Sequence, residues 1–354
     1  MKNYKITIIT LTLLLHSFFS FSQESKNFSW TGYLDAYYAY DFNKPVSQDR
    51  QYSNMAARHN EFNINQAYFL GSFENEKIRS EIGLQIGTYA DFNYAAEPSD
   101  FYRLIYKAYA GVKLSDGVWL DVGVFPGHTG YESVESLSNE IYTRALSTEY
   151  TPYYETGARL TAELSEKITL TGVILNGWQN IGETNKSKAF GMNINFKPSN
   201  VIELNYGNYF GDEGTRFTSS KYRVYNHFYF RHQTTEKFHY MVSFDYGTQE
   251  PIPSNQTESF YFLTLISQYQ VSDKFSVAFR FEQVDDSHQI VIPTNLANGF
   301  SGQVYAINFN YHISENAMFR IEGKFYDTKN IIFTEGPENK SGNELIVGSL
   351  AVRF

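Results

Sequence analysis

The sequence predicts an all-β fold: a transmembrane antiparallel up-and-down β-barrel of about 16 strands, with short periplasmic turns and long external loops. Three observations carry that expectation. Apolar and polar residues alternate with a period of two from residue 28 to the last residue, which places successive side chains on opposite faces of a strand. Short and long connections then follow each other in rotation. The short ones lie near Asn75, Asp116, Glu166, Ser199, Thr235, Asp273 and Glu315, and the long ones follow Tyr40, Ala90, Phe125, Trp178, Phe210, Thr248, Val284 and Asp327. A soluble sandwich has no reason to gather its long loops at one end through so many hairpins. Finally, Tyr 29, Phe 30 and Trp 3 make up 18% of the chain, yet mean hydropathy is −0.40. Only alternate residues of a barrel strand meet lipid, and aromatic side chains collect at the two interfaces, so a polar average rich in aromatics suits a barrel.

In chain order, Lys2 and Lys5 precede an apolar run, 6–21, and small residues. This pattern predicts a signal peptide over 1–22, with Ser20 and Ser22 at the −3 and −1 positions and cleavage before Gln23. The run falls short of the roughly 20 residues that span a bilayer. The barrel is expected over 23–354. Losing Lys2 and Lys5 from the 29 Lys+Arg leaves 27 against 38 Asp+Glu, about −11, an acidic balance that argues against nucleic acid as partner. With Cys 0, disulfides, thiol catalysis and lipid attachment to a Cys are excluded.

The first strand is expected over 28–40, with Trp30, Gly32, Leu34, Ala36 and Tyr38 opposite Ser29, Thr31, Asp35 and Tyr37. A second over 61–73 has faces that the pattern does not assign. In 78–90, Ile78, Ile82, Leu84 and Ile86 oppose Arg79, Glu81 and Gln85; in 102–114, Leu104, Tyr106, Ala108 and Val112 oppose Arg103, Lys107 and Lys113. After 118–125 and a long interruption, Tyr154, Ala158, Leu160 and Leu164 oppose Glu155, Arg159 and Glu163. Further strands are expected at 167–178, 189–197, 201–210, 222–231, 238–248, 260–270, 275–284, 303–313, 317–327 and 344–354. Both faces of 260–270 are apolar.

Charged strand residues set the orientation. A lipid-facing Arg at the midplane costs about 2 to 4 kcal/mol, so such residues must face a wet lumen or an interface. Arg79, Arg103, Lys107, Arg159, Arg223, Arg280, Arg320 and Glu322 are the expected pore lining, and Arg231 is likewise expected towards the lumen or an interface. The last strand ends ELIVGSLAVRF, with Ile346, Leu350, Val352 and Phe354 on one face. Its terminal aromatic looks like the C-terminal assembly signal by which insertion machinery recognises outer-membrane barrels.

The longest interruption, 128–152, joins the fifth and sixth strands and is the candidate constriction loop. Its Glu132, Glu135, Glu140 and Glu149 accompany a single Arg144. If the loop enters the lumen, these carboxylates are expected to oppose Arg79, Arg103 and Arg159 across a narrow neck, and charged linings of this kind set selectivity in pores.

Other constellations are weaker. Asp285, Asp286, Ser287 and His288 adjoin in a long loop, but adjacency does not supply a base within reach of a nucleophile and a third group to orient it. His227 and His232 stand five apart, on opposite faces of a regular strand, so with His239 they make a poor metal set. The stretch Gly211-Asp212-Glu213-Gly214 offers too few oxygens for calcium, and no phosphate-cradling motif is present. Neither a metal nor a cofactor is expected.

Several stretches together resemble the OmpL-like outer-membrane β-barrel porin family of Gram-negative bacteria. They are WTGYLDAYY (30–38), NQAY (65–68), SNEIYTRAL (138–146), TGAR (156–159) and LNGW (175–178), in that order along the chain. The resemblance implies a channel for small solutes, with no catalytic assignment to carry over. The expected function is therefore passive diffusion of small hydrophilic solutes or ions through the outer membrane. The expected partners are outer-membrane lipid, the insertion machinery, the solutes themselves and further copies of the chain. A barrel hydrolase with its site at the external rim, and a plugged structural or adhesive barrel, are the competing readings. The chain is short for a 22-stranded transporter with an added plug domain.

Overall fold

A computed structural model describes residues 27–215, 218, 220–250, 256–335 and 338–354. The leader expected over 1–22 lies outside these residues. The strands are β1 (Phe28–Asp41), β2 (Phe62–Glu74), β3 (Ile78–Ile86), β4 (Ile105–Ser115), β5 (Val118–Pro126), β6 (Tyr154–Ser165), β7 (Ile168–Leu175), β8 (Ala189–Ser199) and β9 (Ile202–Asp212). They continue with β10 (Tyr222–Gln233), β11 (Phe238–Gln249), β12 (Glu258–Ser272), β13 (Phe275–Asp286), β14 (Phe300–Ser314), β15 (Ala317–Thr328), the short pair β16 (Phe333–Glu335) and β17 (Glu338–Lys340), and β18 (Gly342–Arg353). All but β16 and β17 form one closed antiparallel barrel in sequence order, 16 strands, with β18 pairing back onto β1 from Tyr33↔Arg353 to Asp41↔Leu345. Closure leaves no strand edge with unpaired backbone groups, the condition for crossing a bilayer with strands.

The period-two pattern becomes an inside and an outside. Along β13, Ser276, Ala278, Arg280, Glu282, Val284 and Asp286 are buried within the barrel while Phe275, Val277, Phe279 and Phe281 look outward. The same division gives the outer surface its large exposed apolar side chains, among them Trp30, Phe69, Ile82, Phe228, Phe309, Phe319 and Ile321. Among the described residues no helix is long and apolar enough to cross a membrane.

Several expected boundaries shift at the long-loop end. β3 stops at Ile86 because helix α1 (Thr88–Asn93) follows at once. β4 starts at Ile105 because helix α2 (Asp100–Arg103), whose N-cap Ser99 accepts from the Phe101 N–H, occupies the preceding residues. β7 ends at Leu175, so Trp178 belongs to a loop. β2, unassigned from sequence, carries a register shift opposite Asp35 and Ala36, and consecutive Asn65 and Gln66 are both buried.

The long loops do not stand clear of the barrel. Tyr52, Met55 and Ala56 from the first loop, Tyr89 from α1, Tyr142 and Leu146 from the third, Ile290 and Ile292 from the seventh, and Ile332 and Phe333 from the last pack with inward residues of the wall in one apolar cluster. This explains β12, whose two faces both read as apolar: Phe260 and Phe262 point inward, into loop rather than water. The first loop, residues 42–61, is held in a costly conformation. Five non-glycine residues in it, Lys44, Gln48, Tyr52, Ala56 and Asn60, have φ between 48° and 62° at a regular spacing of four. Each left-handed residue costs roughly 1 to 2 kcal/mol, offset here by burial and by Arg50 N–H to Ala57 O (2.7 Å), His59 N–H to Gln48 O (2.7 Å) and Asn60 N–H to Ala39 O (2.7 Å).

Candidate functional site

Residues 127–153 leave β5 and return to β6 after crossing the interior. The neck closes with Gly127 N–H on Tyr153 O at 2.9 Å. His128 then ties the loop to the wall: its backbone N–H and Nδ1 meet the Glu155 carboxylate at 3.2 and 2.7 Å, and Nε2 meets Asn208 O at 2.7 Å. Burial by itself would lower the His128 pKa, but the Glu155 carboxylate and the carbonyl outweigh it and hold the ring above its ordinary value. The wall makes room for this with glycine. A Cβ at Gly191 would lie 2.3 Å from His128 Nε2, and one at Gly207 would lie 2.8 Å from Thr129 Cγ2.

Beyond this hinge the loop is fastened to the opposite wall. Tyr131 stacks on His227, with ring centroids 5.9 Å apart. Glu132 accepts from Ala145 N–H (2.8 Å) and the Thr148 hydroxyl (2.6 Å) and lies 3.7 Å from Arg280. Its burial, only partly countered by Arg280, pushes its pKa up to about 7. Arg280 also pairs with Glu282 at 2.8 Å and donates to the Thr143 carbonyl and hydroxyl. Thr143 N–H and Oγ1 donate to Glu322 at 2.7 and 2.5 Å, Leu146 N–H donates to Glu282 at 2.6 Å, and Arg320 donates to Asn139 O at 2.7 Å. Glu135 accepts from Tyr68 (2.6 Å), Tyr106 (3.2 Å) and Arg353 (2.6 Å). Glu140 lies 3.2 Å from His239 and 3.7 Å from Arg231. Its burial is outweighed by His239 and Arg231, which hold the carboxyl below its ordinary value. In helix α3 (Leu146–Glu149), Glu149 binds Arg144 at 2.6 Å, and Arg144 lies over the Tyr89 and Tyr153 rings at 5.2 and 5.0 Å.

The expected opposition of charges is therefore corrected. Glu132, Glu135 and Glu140 do not face Arg79, Arg103 and Arg159; they meet Arg280, Arg353 and Arg231, because the loop crosses the interior to β13, β18 and β10, with Tyr106 of β4 its contact back towards the near wall. Arg79 and Arg159 instead share Asp121, Arg79 through both Nε and Nη2 at 2.7 Å and Arg159 through Nη2 at 2.9 Å. Lys107 pairs with Glu81 at 3.1 Å. Arg103 stands in α2, outside any strand, 3.4 Å from Asp100. Tyr106, read from sequence as outward, is buried inside, where β3–β4 shifts register. Arg280, Arg320 and Glu322 do face inward, but they are buried beneath the loop. Arg223 lies near the long-loop end, bound to Gln249 at 2.7 Å and over the Trp178 ring at 4.8 Å.

Between the loop and the wall at β4 and the end of β5 lies a cavity of about 190 Å³ lined by Tyr106, Lys107, Thr129, Glu132, Glu135 and Arg144 among others. Of two further residues central to this arrangement, Asp121 and Glu155, the sequence assigned Glu155 only to the polar face of its strand and gave Asp121 no place. Asp121 had a visible signal, a lone carboxylate at an inward position of the otherwise apolar VWLDVGVF. In the seventh long loop, Asp286 accepts the N–H groups of Ile290, Val291 and Ile292, Ser287 donates to Asp285 (2.9 Å) and His288 lies 3.3 Å from Glu258. Among the described residues no group of His, Cys, Asp and Glu is arranged to hold a metal ion.

Solved structures similar to this chain are outer-membrane channels and porins. The anion-selective porin from Comamonas acidovorans matches with TM-score 0.64 and 8% identity, covering 92% of this chain and 99% of its own. The channel DcaP of Acinetobacter baumannii matches with TM-score 0.61 and 10% identity over 92% and 97%, and OmpF of Salmonella typhi with TM-score 0.60 and 10% identity over 93% and 98%. At such identities the likeness shows the fold. No curated protein matches the sequence. The family model described as "Putative beta-barrel porin-2, OmpL-like" matches residues 27–354. With nearly the whole chain matched, this protein belongs to the OmpL-like β-barrel porin family of the outer membrane.

Proposed function

We propose that small hydrophilic solutes diffuse passively through this barrel along an off-centre path, bounded on one side by β3–β6 and on the other by residues 127–153, which form the constriction. The carrying observation is that the loop crosses the interior, anchored on several strands, and leaves a cavity beside Lys107. Arg280, Glu282, Arg320 and Glu322 fasten its far side to β13 and β15, while the cavity opens on the side that carries Lys107. Arg79, Lys107 and Arg159 line the passage, Arg280, Arg320 and Glu322 support its far bank, and Arg223 stands at the external mouth. Because Arg79 and Arg159 share the one carboxylate of Asp121, the wall keeps a surplus positive charge, which favours anions.

No catalysis accompanies transport. The bonding of Ser287 to Asp285 and of His288 to Glu258 supports a loop-ordering role for those residues rather than a nucleophile and base. Export proceeds through a leader cleaved before Gln23, and assembly uses the terminal strand through Leu350, Val352 and Phe354. A trimer form is recorded for a structurally similar outer-membrane protein of Vibrio cholerae, and a homo-oligomer is proposed here on that likeness.

Purified protein in a planar bilayer tests this reading. We expect discrete conductance steps without added energy or partner, and a reversal potential of anion-selective sign under a salt gradient. A silent bilayer at high protein concentration would overturn the porin reading, and a cation-selective potential would overturn the account of the wall.

A further inference from the structure

We propose that residues 42–61 are a gate that stops the external half of the lumen, and that Glu149 is its latch. The inference rests on the porin reading and adds a moving part to it. This loop leaves the barrel rim after Asp41, descends into the interior and returns at Phe62, and Met55, Ala56 and Ala57 at its tip are fully buried. Its hold on the interior comes from separate polar contacts to three other loops and to the wall, where Tyr37 Oη accepts from Arg58 N–H at 3.1 Å and Tyr326 Oη donates to Tyr52 O at 3.4 Å. Tyr52 donates to Ile332 O of the last loop at 2.7 Å, and Asn54 Nδ2 donates to Asn93 Oδ1 at the end of α1 at 3.2 Å. The N–H groups of Asn54 and Met55 point to Glu149 Oε1 at 3.2 and 3.3 Å. Ala56 N–H donates to Asn65 Oδ1 on β2 at 3.0 Å.

Two features distinguish this segment from permanent core. The only bridge pairing in it is internal, Asp49↔Arg58, so no ladder joins it to the barrel. Its five left-handed non-glycine residues are conformations that relax when the surrounding contacts are released. The latch also reaches the passage itself. Glu149 holds the gate through Oε1 and Arg144 through Oε2, and Arg144 lines the cavity beside Lys107. The position of the gate and the charge at the constriction are thus set by one carboxylate.

The chain has Cys 0, so introduced thiols face no background. The test places Asn54→Cys and Asn93→Cys in one barrel, joins them with a short reducible bis-methanethiosulfonate, and measures conductance before and after reduction. A second variant replaces residues 44–60 with a brief Gly-Ser linker, and a third carries Glu149→Gln. We expect cross-linking to lower the conductance at least about tenfold with recovery on reduction, the linker variant to conduct more than the native chain, and Glu149→Gln to raise the open fraction. A native barrel that is silent while the linker variant conducts also supports the gate, shut without a trigger. Equal and non-zero conductance of the cross-linked and reduced barrels overturns it. Silence of every form, with barrel closure verified by heat-modifiable electrophoretic mobility, overturns the porin reading beneath it.

Discussion

Replacing Arg280 with Met should undock the infolded loop. Arg280 is fully buried, pairs with Glu282 at 2.8 Å, lies 3.7 Å from Glu132 and donates to the carbonyl and hydroxyl of Thr143. Met keeps most of the side-chain volume, so the packing loss is small and the electrostatic loss dominates. Removing one partner of a buried ion pair costs about 3 to 5 kcal/mol because the other charge is left uncompensated. Proton uptake by Glu132, whose pKa is already about 7, returns part of that. Taking about 3 kcal/mol as the residual penalty, the docked-to-undocked ratio falls roughly 100-fold. Docking is also where the loss should appear, since the wall ladder of β13 runs through backbone atoms that the substitution leaves in place. Trypsin reads the result directly: the Arg144–Ala145 bond is buried in the native chain and becomes cleavable in the undocked loop. We expect a nick after Arg144 in Arg280→Met, identified by fragment mass, together with raised and noisier single-channel conductance. Adding Glu132→Gln, which removes one stranded carboxylate, should recover part of the resistance. Native resistance and native conductance in Arg280→Met would refute the account of how the loop is held.

Three further outcomes are expected. Arg144→Glu places a second carboxylate against Glu149 and removes the cation between Tyr89 and Tyr153, so conductance should change and the reversal potential should move towards cations; an unchanged channel places the loop outside the neck. The folded pKa of Glu132, about 7, is raised above the ordinary 4.5, so the folded chain holds the extra proton in that window and loses this stability as pH rises through it. Protease resistance of the loop should therefore fall between about pH 4.5 and about 7 more in the native chain than in Glu132→Gln, and identical slopes would contradict the buried placement of Glu132. Gly247→Val sets a Cβ about 2.2 Å from the ring of buried Phe260, so the unfolding midpoint should drop by an overpacking cost of about 1 to 3 kcal/mol, measured by heat-modifiable mobility.

The strand number and the two faces of most strands were readable because each barrel strand reports its own environment, residue by residue. β13 and β15 needed nothing beyond their alternation. The reading failed where another part of the chain supplies the environment. Phe260 and Phe262 look outward-facing by composition, yet they meet loops that fill the external half of the barrel. Tyr106 needed a register shift, and Arg103 needed the Ser99 cap that turns its segment into a helix. The address of residues 127–153 between the fifth and sixth strands was legible, because it follows from counting. Their partners were not, since Glu132 and Arg280 are brought together by closure of the barrel and nothing local in sequence marks the pair.

Inward-facing arginines in this barrel have two fates, and what they bind separates them. Arg79 and Arg159 bind the Asp121 carboxylate of β5, which the register sets beside Arg159 and across Gly111 of β4 from Arg79, and keep side-chain exposures of 20% and 18%. Arg280 and Arg320 bind backbone carbonyls of the loop and are 0% and 1% exposed. Desolvating a guanidinium so fully is costly unless donors and charge are answered; Arg280 is answered by the loop and by Glu282, and Arg320 by the Asn139 carbonyl through Nη2, with its Nη1 left without a hydrogen-bond partner among the described residues. The second pair therefore belongs to the structure of the loop, and the first to the surface that a solute meets. It follows that charge changes at Arg79 or Arg159 should alter selectivity while the loop stays docked, whereas changes at Arg280 or Arg320 should alter selectivity only by freeing the loop. A barrel whose selectivity responded to Arg320 with the loop still resistant to trypsin would break that division.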